Sequence, residues 1–302
     1  VCSSDLKNNL HTAKVAVNIG NTLFSLIKEN QEVLYFPFSL DKYRTNTKLA
    51  GNPFMHPWAN RLEAEYIQIK NQTHFFPENQ KHLLYRDGNN LPLHGLLLKS
   101  DQWKTIEIYE DEQICFHLAE FMFNDADFLS IFPFKHSIQI KHQLQNNVLS
   151  IETTIINNDE KSMPICFGFH PYFLKKDENC ILEIPSDNVI EVDDKMIPTG
   201  SSYNKHKKWN FNNDEISLKE NAFDDGFESL KYKNGSAIFG LDDVKVEFDK
   251  NYPFAQIYAP KHETKPYVCI EPMTAATNAL NKNTCKFIHP NETFTAIFSI
   301  GL

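Results

Sequence analysis

The chain has 302 residues, a formal net charge of -9 and 41% hydrophobic content. That is enough to bury a large core without disulfide or metal staples. The acidic balance excludes a nucleic-acid partner held through its phosphates, and the short basic knot Lys205 to Lys208 reads as a solvated loop. No run of about 18 apolar residues offers a membrane span.

Taken in order, the chain is β-rich. Leu62 to Lys70 has helical composition, but Tyr66, Ile67 and Ile69 suit a strand as well. From Ser137 to Leu144, residues Ile138, Ile140, His142 and Leu144 fall on one face. Gln145-Asn146-Asn147 turns the chain, and Leu149, Ile151, Thr153 and Ile155 alternate on the return, which predicts a long antiparallel hairpin. Asn234-Gly235 between Lys231 to Lys233 and Ser236 to Phe239 predicts a second, two-residue hairpin. Val244, Val246 and Phe248 alternate, as do Phe294, Ala296 and Phe298. No window carries a sustained helical stripe. No Gly/Ser linker and no repeat divides the chain, so residues 1–302 are expected to form a single domain. The fold class expected is all-β, a large antiparallel β-sandwich.

The six cysteines are Cys2, Cys115, Cys166, Cys180, Cys269 and Cys285, with spacings that fit no zinc module. Cys115, Cys166 and Cys269 lie in apolar runs and are expected to be reduced and buried, which points to a cytoplasmic protein. No signal peptide is visible from Val1 onward.

Six polar stretches carry candidate chemistry. In Gly51 to Leu62, two prolines and two large aromatics frame Asn60-Arg61. A guanidinium fork there either grips vicinal hydroxyls or a carboxylate of a ligand, or pairs with a buried acid. His94-Gly95 places an imidazole in a turn. His170, packed in Phe167-Gly168-Phe169-His170-Pro171-Tyr172-Phe173, is either a core histidine or one whose protonation a carboxylate supports. Asp224-Asp225 sits in an aromatic stretch expected to be a turn, with Asp225 the fallback to Asp224. Gln256 lies on the β-run Phe254 to Tyr258. Finally, Glu271 follows the β-run Tyr267 to Ile270, and Pro272 is expected to end that strand. A carboxylate there suits a general base held by rigid backbone, and it also suits an ordinary strand-end Glu pointing at water, the commoner case for such a residue taken alone.

Together, in this order, these stretches resemble the aldose 1-epimerase (galactose mutarotase-like) family. The resemblance rests on Pro57-Trp58-Ala59-Asn60-Arg61, His94-Gly95, Gly168 to Phe173, Asp224 to Phe227, Gln256 to Tyr258 and Ile270-Glu271-Pro272-Met273-Thr274. It extends more loosely from Val15 to Gly20, similar to the family's opening strand, to the strand near Phe294. It implies a galactose mutarotase-like supersandwich with an open carbohydrate cleft. It further implies Glu271 as general base, His170 as general acid, and Arg61, His94, Asp224 and Gln256 as substrate-holding residues, with Asn60 either among them or shaping the loop. Where the family subgroup follows Glu-Pro-Met-Thr with prolines and an Asp, this chain has Ala275-Ala276-Thr277-Asn278. That departure bears on sugar preference more than on chemistry.

The implied activity is interconversion of α and β anomers of a free monosaccharide, an aldohexose or aldopentose, by ring opening and reclosure. No metal and no cofactor is expected; His56, His94 and His170 have no metal-ligand spacing. The chemistry calls for an ionised Glu271 beside a charged His170, with Asp224 helping to keep His170 protonated. Two rivals are a glycoside hydrolase using Asp224 and Glu271 and a non-catalytic sugar-binding protein on the same fold.

Overall fold

In the computed structural model, residues 3–8, 11–111, 113–261 and 265–302 are described; Cys2 lies outside them. Two large antiparallel sheets dominate. The first has nine strands, in the order Glu215–Ser217, Ile181–Glu183, Ala237–Leu241, Val244–Phe248, Thr293–Gly301, Val148–Asn157, His136–Gln145, Ile114–Phe123, Lys104–Glu110. The second has eight, in the order Pro198–Asn204, Asn188–Val192, Phe223–Glu228, Phe254–Ala259, Tyr267–Met273, Gly168–Phe169, Phe54–Met55, with Tyr172–Leu174 also pairing Tyr267–Met273. Between the two sheets aromatic rings pack edge-on or tilted. Phe167 lies 6.0 Å from Phe294 and Phe169 lies 5.0 Å from Phe298. One apolar core runs from Leu6 to Ile300.

The hairpin expected around Asn146 forms with Leu144 opposite Leu149 and Ile138 opposite Ile155. Its inward residues, His142 and Thr153 included, are fully buried. Strict alternation fixed this register because a one-residue slip would turn every apolar side chain outward. Tyr66–Ile69 is a strand, paired with Gln72–Phe75, so the helical alternative at Leu62 to Lys70 does not form. Cys115, Cys166, Cys180 and Cys269 are free and buried. Among the described residues no helix is long and apolar enough to cross a membrane.

Several expectations need correction. Asn234-Gly235 does turn the chain, but only Lys233 and Ser236 bridge across it. The true partner of Ala237–Leu241 is Val244–Phe248, through the turn at Asp242. The strand expected across Val15 to Gly20 stops at Ala16: His11–Ala16 follows the first described strand, Ser3–Lys7, and residues 17–21 form a turn. Phe223–Glu228, expected as a turn, is an interior strand. Lys205 is not solvated. It is fully buried, its Nζ 2.7 Å from Asp214 and 3.2 Å from Asp187 and lying over the Phe211 ring. Two acids and an aromatic face offset the desolvation of that ammonium.

Pro272 does not end its strand either; Tyr267–Met273 continues past it. On one edge of that strand Tyr172 pairs with Cys269 and Gly168 pairs with Met273. Residues 270–272 fall between these partners, opposite the break at His170-Pro171. A proline inside a sheet is tolerated where the ladder is interrupted. That interruption also lets His170 leave the sheet.

Candidate functional site

The cleft is built on the outer face of the eight-stranded sheet, and its layout follows from side-chain alternation. Glu271 is opposite Gln256, Gln256 opposite Gly226, and Tyr258 opposite Asp224. Cross-strand partners share a face, so Asp224, Gln256, Tyr258 and Glu271 project together. The intervening Ile257, Ile270, Phe223 and Phe227 point into the core. The same period separates the two adjacent acids. Asp224 Oδ1 accepts from Gln256 Nε2 at 2.8 Å, whereas Asp225 turns to Lys208 Nζ at 2.6 Å.

A cavity of about 380 Å³ opens here, lined by Asn60, Arg61, His94, His170, Asp224, Gln256 and Glu271. The structure thus brings together every site residue singled out in the sequence. The volume lies in the range of small-molecule sites, about 300–1,000 Å³. His56, the third histidine weighed for a metal, turns away and makes a 2.7 Å Nε2 to Nε2 hydrogen bond with His136.

Glu271 is 1% exposed and His170 6%. His170 Nε2 and Glu271 Oε1 are 3.3 Å apart. Glu271 Oε2 and the Nδ1 atoms of His170 and His94 are buried with no hydrogen-bond partner among the described residues. Unsatisfied polar atoms at that depth cost free energy, and they border a cavity that admits a polar ligand. The His170 ring stacks on Tyr172 at 4.5 Å and meets His94 edge-on at 5.0 Å.

Thr274 locks the two halves of the pair together. Its Oγ1 accepts from Phe167 N at 2.9 Å and donates to Phe167 O at 3.0 Å, and its own N–H donates to the same carbonyl at 2.9 Å. The segment leading to His170 is therefore fastened to the segment leaving Glu271.

The loops at 56–61 and 93–96 are stitched by their backbones. His94 N donates to Asn60 O at 2.9 Å and Leu96 N to His56 O at 2.7 Å. Gly95 is required at this crossing: its φ is +73°, and a Cβ would stand 2.1 Å from His56 O.

Arg61 meets both of its sequence alternatives at once. It lines the cavity, and its Nε donates to the buried Asp87 carboxylate at 2.7 Å while Nη1 donates to Asn60 Oδ1 at 3.0 Å. Asp87 was not singled out in the sequence. Its other oxygen caps the turn it opens, accepting from Asn89 N and Leu91 N. The Asp87-Gly88-Asn89-Asn90 turn chemistry was the available signal, but nothing local marks its pairing with a residue 26 positions away. Tyr85, Tyr172, Tyr258 and Lys265 also line the cavity and were missed as site residues. The departure after Glu271 proves structural: Asn278 N donates to Arg61 O at 3.0 Å, and its Oδ1 accepts from Glu63 N at 3.2 Å.

The electrostatics differ from the sequence expectation. Burial drives His170 down to about 3, with a smaller push from the Arg61 charge. Burial also drives Glu271 well above the usual carboxylate range, and the Asp224 charge raises it further while Arg61 opposes. Asp224 itself is raised by burial, against Arg61 and Gln256. Both shifts favour the uncharged forms, a protonated Glu271 beside a neutral imidazole, over the expected ion pair. The Asp224 charge acts on Glu271 rather than on His170. The proton count is the same in both forms, one proton shared between two groups.

Two packed antiparallel sheets of eight and nine strands, with a polar cleft on the outer face of one, define a galactose mutarotase-like β-sandwich. The structure is similar to a galactose mutarotase-like protein from Clostridium acetobutylicum (TM-score 0.85, 21% identity, covering 99% of this chain and 94% of that one). It is also similar to an aldose epimerase homologue from C. elegans (TM-score 0.76, 15% identity, 99% and 98% covered) and to galactose 1-epimerase from Lactobacillus acidophilus NCFM (TM-score 0.76, 19% identity, 99% and 93% covered). These likenesses establish the fold. The family model described as Aldose 1-epimerase matches residues 4–300, and the chain belongs to that family.

Proposed function

We propose that the protein is an aldose 1-epimerase, interconverting the α and β anomers of a free monosaccharide, and that residues 1–302 act as one unit. The observation that carries this reading is the 3.3 Å approach of His170 to Glu271 in a cavity also lined by Arg61, His94, Asp224, Gln256 and Asn60. Ring opening needs one proton removed from the C1 hydroxyl and one delivered to the ring oxygen. A pair that holds one proton between two groups meets that need without exchange with solvent.

Passing the proton from Glu271 to His170 creates the carboxylate and the imidazolium. Glu271 then takes the C1 hydroxyl proton as His170 protonates the ring oxygen, and the C1–O5 bond opens to the aldehyde. Rotation about C1–C2 presents the other face of the carbonyl, and the same transfers in reverse close the ring. Hydroxyls donating to Glu271, together with the Arg61 charge, lower the cost of forming the carboxylate. Arg61 is held by Asp87, so its fork is pre-oriented toward vicinal hydroxyls. Each positioned acid or base supplies about 10²–10⁴-fold, and no step calls for a metal or an organic cofactor.

Glu271→Gln keeps the shape of the site and removes the base. Polarimetry on fresh α-D-galactose and α-D-glucose should show catalysis lost, with sugar affinity by calorimetry largely intact. Full activity in the variant rejects the assignment. Binding by the wild type without anomer interconversion makes the protein a sugar binder instead.

A further inference from the structure

A separate two-stranded sheet pairs Met163–Ile165 antiparallel with Lys286–Ile288. Met163 is opposite Ile288, Pro164 opposite Phe287 and Ile165 opposite Lys286. One residue further along the same register, Cys166 comes opposite Cys285. We propose that these two cysteines are a dithiol site, which small-molecule disulfides oxidise to an intramolecular bond between Cys166 and Cys285. The proposal stands independently of the reaction assigned to the cleft.

The hydrogen-bond phase of the pairing suits that bond. Pro164 has no N–H, so Pro164 and Phe287 form a non-hydrogen-bonded pair. The two kinds of pair alternate along an antiparallel ladder. Ile165 and Lys286 are therefore a hydrogen-bonded pair, and Cys166 and Cys285 fall again at a non-hydrogen-bonded position. Partners there stand about 4.5 Å apart at Cα with their side chains close, within the span of about 4.4–6.8 Å that a disulfide needs. The regular ladder stops here because Phe167 N–H, its next donor, is given to Thr274 Oγ1. The two thiols are in hydrogen-bonding contact, and that contact, ahead of burial, holds the Cys285 thiol well above its usual range. The cysteines inside longer strands have no such partner. Cys115 is opposite Leu144 and Glu110, and Cys269 is opposite Tyr172 and Tyr258.

Cys166 is buried and Cys285 half-buried, so an incoming disulfide RS–SR meets Cys285 first. The Cys285 thiolate attacks one sulfur and expels RS⁻. The Cys166 thiolate then attacks the Cys285 sulfur of the mixed disulfide and expels the second RS⁻. Two cysteine thiols are oxidised, one RS–SR is reduced to two RSH, and the two thiol protons end on the departing sulfurs. Because the Cys285 thiol is raised, its thiolate is scarce at neutral pH, and exchange quickens about tenfold per pH unit. The bond closes a long loop of chain, which removes freedom from the unfolded state. It also fastens the strand that runs into Phe167, where Thr274 grips the segment leading to His170.

The test treats the full chain with oxidised glutathione at about pH 8, alkylates the remaining thiols and digests without reduction. Mass spectrometry should find one peptide pair joined through Cys166 and Cys285. The melting temperature should rise by about 5 °C, and dithiothreitol should reverse both changes. Cys285→Ala and Cys166→Ala should each abolish the linked peptide and the rise. The wild-type digest decides the matter even where Cys166→Ala, which empties a buried position, fails to fold; Cys285→Ala, at the half-buried position, is then the control. A glutathione adduct that persists on Cys285, a link from either cysteine to any other, or two thiols still free at exchange equilibrium overturns the proposal. So does a melting temperature that falls when the link forms.

Discussion

The two large sheets use the same backbone geometry to opposite ends. The nine-stranded sheet is regular at its centre, where strands of nine or ten residues run in unbroken register from Ile114 to Phe123, His136 to Gln145, Val148 to Asn157 and Thr293 to Gly301. The eight-stranded sheet is broken where it matters. Gly168–Phe169 and Tyr172–Leu174 are fragments of two and three residues, and a proline sits inside their partner strand. Continuous ladders satisfy every backbone group and hold each side chain to the alternation of its strand. An interruption releases His170 toward Glu271, and clamps such as Thr274 restore the rigidity that the missing ladder bonds would have given.

If that division holds, substitutions in the two sheets should fail in different ways. The largest effect is expected at Glu271→Gln, a loss on the order of 10²–10⁴-fold or more in kcat with little change in melting temperature. Phe298→Ala, in the regular sheet, should do the converse. It opens a cavity beneath Phe169 and costs about 3–5 kcal/mol in denaturant unfolding, while the folded fraction keeps its KM. A kcat loss there as deep as that at Glu271 would erase the distinction between scaffold and site.

Asp87→Asn tests the support of the cleft. The Arg61 Nε loses a charged partner, and a half-buried guanidinium is left imperfectly paired. KM is expected to rise about tenfold, with kcat changed less. An unchanged KM would mean that Arg61 needs no holder.

The pH dependence separates the sheets once more. Loss of the one-proton state of the Glu271–His170 pair sets the limbs of kcat/KM. Burial lowers His170 to about 3 and raises Glu271. In brief assays kcat/KM should therefore stay level from neutrality down to about pH 4, with the alkaline limb at the raised Glu271 value. An alkaline limb near the free-imidazole value of about 6.5 would show that His170, not Glu271, carries the resting proton. In the nine-stranded sheet, His142 is fully buried, neither ring nitrogen has a hydrogen-bond partner among the described residues, and burial lowers it to about 3. Its folded value lies below its unfolded one, so its contribution is whole above about pH 6.5 and lost as pH falls toward the folded value. At pH 5 that is about 2 kcal/mol. His142→Leu should flatten the decline of unfolding free energy between pH 7 and 5 and leave turnover untouched.

Legibility in the sequence follows the same division. The hairpin at Asn146 was readable because alternation over eight residues on each side allows one register. The cleft residues were readable because their short stretches, weak one by one, form a distinctive set when taken together in chain order. What escaped notice depends on partners far along the chain. Asp87 meets Arg61, and Lys205 is buried with Asp187, from the bend before Asn188–Val192, and Asp214, from the turn before Glu215–Ser217, as its partners. Pro272 misled because a proline ends a strand only when the ladder needs its N–H, and here the neighbouring strand is absent at that point. Asn234-Gly235 is a sound turn, but Lys231 to Lys233 is not a strand that Ala237–Leu241 can join.

The bonds from Asn278 to the backbone at Arg61 and Glu63 tie the chain just beyond the reacting carboxyl to one arm of the cleft. If the proposed reaction holds, substitution at Asn278 should change which sugar is preferred more than how fast its ring opens, because Asn278 is bonded to the cleft arm and not to the Glu271–His170 pair.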